Sequence, residues 1–201
     1  PYVAVPRPTI PDTTPPVSLL ADIASFGECS RWKAQLRDEG RFTPPSLKGS
    51  IAWPATTGGV EWGGGALDPT TNTYVVNSNR VPQVYTLIPR AEADRKYGSA
   101  LRGQNGYAAQ AGSAYGFRLQ NFLNIWGMPC WAPPYGTLLS YDMNSGKVNW
   151  EKPFGAVQKW GFYMPDSWGS VTIGAPVITK TGLVFIGASM DSRVRAVDLK
   201  T

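Results

Sequence analysis

Apolar residues fall in short runs separated by Gly, Pro, Asn and Asp over most of the chain, the pattern of many short strands joined by tight turns. This pattern predicts strands at residues 64–68, 73–77, 84–88, 137–142, 147–151, 175–179, 183–186 and 194–199. One segment has helical periodicity instead. Ser25-Phe26-Gly27-Glu28 has the spacing of a capping box, Gly40 supplies a left-handed stop, and Cys29, Trp32 and Leu36 share a face, so a surface helix is expected over 25–39. Arg31, Lys33, Arg37 and Asp38 make its solvated side. The proline-rich residues 1–24 read as an extended arm. Residues 91–132 lack periodicity and read as one long loop, which leaves 50–201 as the region of the strands.

Length and composition narrow this picture. A chain of 201 residues makes a single domain the default. Its 22 Gly and 18 Pro, with only 16% charged residues, come near the composition of disordered chains, but eight Trp, nine Tyr and seven Phe do not. Each large side chain stabilises a fold by roughly 1.5 to 3 kcal/mol when fully buried, which a disordered tail would not use. The absence of His excludes an imidazole base, a His-type zinc site and a His-ligated haem from these residues. The net charge of +5 is scattered without a basic run, which argues against nucleic acid. No apolar stretch reaches the roughly 18 residues of a membrane span. The chain begins at Pro1 without Met and stops at Thr201 within a strand-turn pattern, so it is expected to be a piece of something longer. Strand edges left open in such a piece would promote association.

Self-similarity is the strongest signal. Residues Ser140 to Trp150 have the form small-x-Asp-x-x-Ser/Thr-Gly-Lys-x-x-Trp; Ala196 to Thr201 repeat its first half, and Ala66 to Thr71 are a weaker copy. The Asp accepts backbone N–H groups in the turn, Gly supplies positive φ, and each copy marks a hairpin. Asp68, Asp142 and Asp198 are therefore expected to cap turns rather than to act as acid and base. The flat indole of Trp150 suits packing between neighbouring sheets, as radial repetition in a propeller requires. Asp68, Asp142 and Asp198 stand 74 and 56 residues apart, more than the roughly 40 to 45 of a small blade, so insertions between strands are expected.

The docking repeat, Phe42-Thr43-Pro44-Pro45-Ser46, Gly58-Gly59-Val60-Glu61-Trp62-Gly63-Gly64, Leu87-Ile88-Pro89-Arg90, Met128-Pro129-Cys130, Pro133-Pro134-Tyr135-Gly136 and Gly182 to Ile186 followed by Arg195-Ala196 resemble the membrane-bound quinoprotein dehydrogenases of the glucose, quinate and shikimate group. The similarity runs from about Val17 to Thr201. It implies an all-β fold, part of an eight-bladed β-propeller with one N-terminal surface helix, in which residues 1–201 form a single partial propeller domain and the remaining blades lie outside this chain. It also implies pyrroloquinoline quinone (PQQ) with Ca or Mg, oxidation of a sugar, polyol or cyclic hydroxy acid on the periplasmic side of the bacterial inner membrane, and ubiquinone as acceptor. The metal ligands, the catalytic Asp and a quinone-contacting Lys are expected outside these residues, so this chain holds no catalytic residue and is expected to be inactive alone.

The family's Gly-Gly-x-Asn-Trp-Gly segment points an Asn and a Trp at the quinone. Matched to it, Trp62 is the expected aromatic neighbour of the cofactor, Gly63 follows it, and Glu61 stands where the family has Asn. An amide can donate to a quinone carbonyl, whereas an ionised carboxylate only accepts. Glu61 is then protonated, turned elsewhere, or a sign of altered chemistry. From the residues alone, without the resemblance, Trp62 reads as another inter-blade packing plate and Glu61 as a surface acid. Gly174, in Gly174-Ala175-Pro176, matches a loop near the axial end of the fold and is a candidate to approach the cofactor through its backbone. Cys29 and Cys130 are open between two buried thiols and a disulfide.

Two other readings compete with the dehydrogenase. A cofactor-free propeller with the same repeats would serve as an interaction scaffold, a reading that Glu61 keeps alive. An independent small β domain is the third, weakened by the interrupted repeat at Thr201.

Overall fold

The computed structural model describes residues 7–97, 106–159, 161–187 and 189–200. The first residues of the expected arm, the middle of the expected 91–132 loop and Thr201 lie outside that set. In chain order the elements are α1 (Leu19–Ala24), α2 (Glu28–Gln35), β1 (Ser50–Ala52), β2 (Ala66–Asp68), β3 (Thr73–Asn79), β4 (Gln83–Pro89), α3 (Arg90–Tyr97), β5 (Tyr107–Ala108), β6 (Tyr115–Asn121), β7 (Gly136–Asp142) and β8 (Lys147–Pro153). They continue as β9 (Gln158–Lys159), β10 (Phe162–Tyr163), β11 (Val177–Ile178), β12 (Leu183–Ile186) and β13 (Arg195–Asp198). Antiparallel sheets dominate, as the short apolar runs require.

The described residues divide into two compact units. One takes the residues up to Pro11, Thr57–Val81 and those from Pro133 onward; the other takes Asp12–Thr56 and Pro82–Ala132. The residues between β3 and β7, which are neighbours in one sheet, thus leave to build a different unit and return. That excursion accounts for the long separation between Asp68 and Asp142.

In the first unit, the sheet order is β2-β3-β7-β8, with β3 and β7 paired from Thr73↔Asp142 to Asn79↔Gly136. Both central strands are buried on two faces. Val75 and Leu138 join Phe154, Val184, Ile186 and Leu199 on one side, while Val76, Leu139 and Tyr141 form a cluster on the other. The sheet β11-β12-β13 supplies Val184 and Ile186 to the first cluster.

The three repeat copies share one turn. Asp68 accepts from Thr70 N–H at 3.0 Å and Thr71 Oγ1 at 2.6 Å; Asp142 accepts from Asn144 N–H at 2.9 Å and Ser145 Oγ at 2.7 Å; Asp198 accepts from Lys200 N–H at 2.8 Å. Gly146 closes the complete copy at φ +70°. The Thr71 and Ser145 hydroxyls, ahead of the backbone donors, hold the Asp68 and Asp142 carboxyls below the usual range, as suits caps that stay ionised. Trp150, on β8, donates its Nε1–H to Leu199 O at 3.0 Å and packs on the Val75–Leu138 cluster. It therefore docks the complete repeat onto the turn of the next.

The second unit holds a sheet ordered β1-β4-β6-β5. Of the helix expected over 25–39 only α2 (Glu28–Gln35) forms, and the expected extended arm at 1–24 is instead helical at α1 (Leu19–Ala24), where Ser18 caps the first turn. Ser25 ends α1 rather than starting a helix: its Oγ donates to Ala21 O at 2.8 Å, and Phe26 and Gly27 turn the chain with positive φ before α2. Asp22 caps α2 instead, accepting from Ser30 N–H at 2.9 Å and Ser30 Oγ at 2.5 Å. The helix also stops at Gln35, well before Gly40, because Arg37 leaves to pair beside β1: its N–H reaches Gly49 O at 3.0 Å and its carbonyl accepts from Ile51 N–H at 2.9 Å.

The expected long loop also carries structure. After β4, α3 is held by one fully buried residue, Ala93, against Ile88 and Tyr107. Arg90 clasps the β5–β6 side, donating to Ala109 O at 2.6 Å and Tyr115 O at 2.8 Å. Cys29 and Cys130, both fully buried, form a disulfide with Cα atoms 5.2 Å apart.

Candidate functional site

The candidate residues lie in the first unit, at the end of β3 opposite the Asp68 turn. There the strand finishes in Asn77, Ser78 and Asn79, all at most 1% exposed. Polar side chains buried this deeply need partners. Asn79 finds them on two loops. Its Oδ1 accepts from Thr172 N–H at 2.9 Å, and its Nδ2 donates to Thr172 O at 3.1 Å and to Thr57 O at 3.4 Å. Asn77 Nδ2 donates to Thr172 Oγ1 at 2.8 Å. The Asn79 N–H also donates to Gly59 O at 2.7 Å.

These bonds bring the predicted residues together. Glu61 Oε1 accepts from Asn79 Nδ2 at 3.3 Å, and Gly64 N–H closes the following turn onto Glu61 O at 2.9 Å. Of the three outcomes open for Glu61, its carboxylate is turned to a protein amide. Gly63 sits against the segment after Thr172: a Cβ there would lie 3.2 Å from Ala175 N and 3.5 Å from Gly174 C. Gly63 and Gly174 are thus neighbours, 111 residues apart in sequence. A side chain at position 63 would have to force this approach open.

Trp62, carried on the same turn, is 92% exposed, whereas Trp53 and Trp131 are at most 5% exposed. Its indole is therefore no packing plate within this unit. Ile173, between Thr172 and Gly174, is also exposed. The Trp62 turn thus presents a planar apolar face, of the kind on which a flat aromatic ring can stack, beside a close approach of two glycine-bearing loops. Among the described residues, no three or more carboxylate, thiolate or imidazole groups gather as a metal site. The same residues include no helix long and apolar enough to cross a membrane.

Sequence reasoning missed Asn77, Asn79 and Thr172. The available signal was the pair Asn77 and Asn79 at the end of a strand rich in apolar residues, since two carboxamides in a doubly buried strand require built partners.

Four-stranded antiparallel sheets, with a docking tryptophan reaching the turn of the next repeat, define a propeller-type chain. The family model of the PQQ glucose/ethanol/alcohol dehydrogenase β-propeller domain matches residues 5–201, and the chain belongs to that quinoprotein family. It is 35% identical over 176 residues to a probable quinate dehydrogenase (quinone) of Xanthomonas campestris pv. juglandis, a match covering 83% of this chain and 22% of the relative. It is 33% identical over 175 residues to the quinoprotein glucose dehydrogenase of Escherichia coli K12, covering 82% and 22%. Against the glycerol dehydrogenase large subunit of Gluconobacter thailandicus it is 35% identical over 179 residues, covering 81% and 24%. The chain thus spans about a fifth of the length of these relatives.

Proposed function

We propose that this chain supplies one wall of the cofactor site of a PQQ-dependent dehydrogenase that oxidises an alcohol group of a sugar, polyol or cyclic hydroxy acid. The observation that carries this reading is the exposed Trp62 indole on a turn stitched to the Gly174 loop, within a chain of the quinoprotein family. Electrons pass to ubiquinone in the membrane, and the domain works on the periplasmic side, with Ca or Mg held by residues of other blades.

Each residue has a defined task. Trp62 offers an apolar face to a planar ring, and Gly63 and Gly174 let backbone stand where side chains would intrude. Glu61, held through Asn79, presents an acceptor and no amide donor. The chemistry supplied by PQQ, when bound, is two-electron oxidation of the alcohol carbon. No residue of this chain is assigned the proton transfer.

A second reading, the cofactor-free scaffold, draws on Glu61 standing where the family has Asn. One experiment separates the two: the complete protein that carries this chain is titrated with PQQ in the presence of Ca or Mg, following tryptophan fluorescence, and assayed for dye reduction with glucose, quinate and glycerol. The dehydrogenase reading expects saturable quenching, turnover of at least one alcohol, and affinity about tenfold weaker in Trp62→Ala, the loss of about 1.4 kcal/mol of ring contact. Absence of both quenching and dye reduction favours the scaffold.

A further inference from the structure

We propose that Asn79 is the positioning residue of this site: its buried carboxamide ties the Glu61–Trp62 turn to the Thr172–Gly174 loop and so sets where the Trp62 indole stands. The inference rests on the cofactor reading of Trp62 but concerns a residue that would not touch the cofactor.

Three observations carry it. First, Asn79 is fully buried, and its side chain bonds to Glu61, Thr57 and Thr172 from both ends of the amide. Only a group with a donor on one side and an acceptor on the other can serve a carboxylate, two carbonyls and an N–H at once, which singles out an amide. Second, Trp62 has little packing of its own to hold it, being almost wholly exposed, so its orientation is inherited from the backbone turn. That turn is fastened by the Glu61 side chain, the Gly64 N–H to Glu61 O bond and the Asn79 N–H to Gly59 O bond. Third, the opposing wall hangs on the same amide, because the bonds of Asn79 to Thr172 fix the residue two before Gly174. One side chain thus aligns both walls.

The test uses the complete protein and PQQ titration by tryptophan fluorescence, with folding followed by thermal unfolding. Asn79→Asp keeps the acceptor toward Thr172 N–H but sets a second carboxyl against Glu61. Two facing carboxyls cannot both ionise cheaply, so one holds a proton at low pH and restores a donor. Asn79→Asp is expected to bind PQQ within about threefold of the unaltered protein at pH 5 and about tenfold more weakly at pH 8, the loss of one charge-assisted bond. The ratio of the two proteins' affinities therefore changes with pH while the thermal midpoint stays well above the assay temperature at both pH values, which separates a displaced Trp62 from a lost fold.

Glu61→Ala leaves the buried Asn79–Thr172 bonds intact and tests the same link should Asn79→Asp fold poorly. It is expected to weaken PQQ about tenfold, while Glu61→Gln, which still accepts from the Asn79 amide, stays within about threefold. At pH 8 the double variant Glu61→Ala with Asn79→Asp should be no weaker than the worse single variant. Additive losses, or a folded Asn79→Asp protein that binds like the unaltered one at both pH values, would overturn the positioning role. If Trp62→Ala leaves the affinity unchanged, the cofactor reading itself fails.

Discussion

At the scale of single residues, buried polar groups shape this chain as much as its apolar ones. Asp191, in the β12–β13 connection, has no exposed side-chain surface and gathers Ala156 N–H at 3.1 Å, Ser189 Oγ at 2.6 Å and the guanidinium of Arg195. The Arg195 hydrogen bonds hold its carboxyl well below the usual range, while burial works in the opposite direction. A carboxyl depressed in the folded state stabilises the fold above its unfolded value, about 3.9, and that contribution falls away as pH drops toward the folded value. Unfolding midpoints measured in urea should therefore decline from about pH 4 downward. Asp191→Asn should flatten that decline and lower stability at neutral pH by about 3 kcal/mol, because Arg195 is left without its counter-charge. An acid limb identical in the two proteins would refute the assignment. Asp191 did not stand out although Ser189 and Arg195 lie within four residues of it, because its burial and its bond to Ala156 N–H are tertiary, whereas Asp68, Asp142 and Asp198 were legible because each caps a turn within three residues of itself.

Among the elements, the sequence was readable where burial follows a short-range pattern. The apolar runs of β3, β4, β7 and β12 announce themselves. By contrast, β6 is half-buried along its middle with exposed ends, which erases alternation, and α3 has only Ala93 fully buried, so neither stands out inside 91–132. The helix at 25–39 starts and stops elsewhere for a related reason. Ser25 and Glu28 have capping-box spacing, but Asp22, upstream of the expected start, makes the bonds to Ser30. The α1–α2 pair is tied to the β6–β7 connection at Cys130 by the disulfide, which closes a separation of 101 residues. In the chain-entropy view, a crosslink of that span contributes about 4 to 5 kcal/mol. Reduction, or the pair Cys29→Ala with Cys130→Ala, should lower the denaturant midpoint accordingly and raise amide exchange first in α1 and α2. An unchanged midpoint would mean that packing alone holds these helices.

For the whole molecule, the family was legible because propeller repeats put the same turn chemistry at successive places in the chain, and Trp150 reaches Leu199 as a docking tryptophan should. The division into two units was not, because nothing in the residues at 82 or 132 marks a change of sheet. Of the candidate site, the motif singles out Glu61, Trp62, Gly63 and Gly174, whereas the amide network that ties the Glu61 turn to Thr172 depends on tertiary contact. The second unit also carries an apolar surface. Leu19, Leu20 and Ile23 of α1, with Phe26, Ile125 and Trp126, are all more than half exposed. They form a continuous face, since Trp126 Nε1–H donates to Ala24 O at 3.0 Å and Ile125 N–H to Glu28 Oε2 at 3.0 Å. Continuous apolar patches are rare on soluble monomers and drive association. The 201-residue chain by itself should therefore sediment as a concentration-dependent oligomer at micromolar concentrations. Replacing Leu20 and Ile23 by Lys, both outward-facing, should shift it toward monomer without loss of thermal stability. A monodisperse monomer of the unaltered chain would show that this face is tolerated in water.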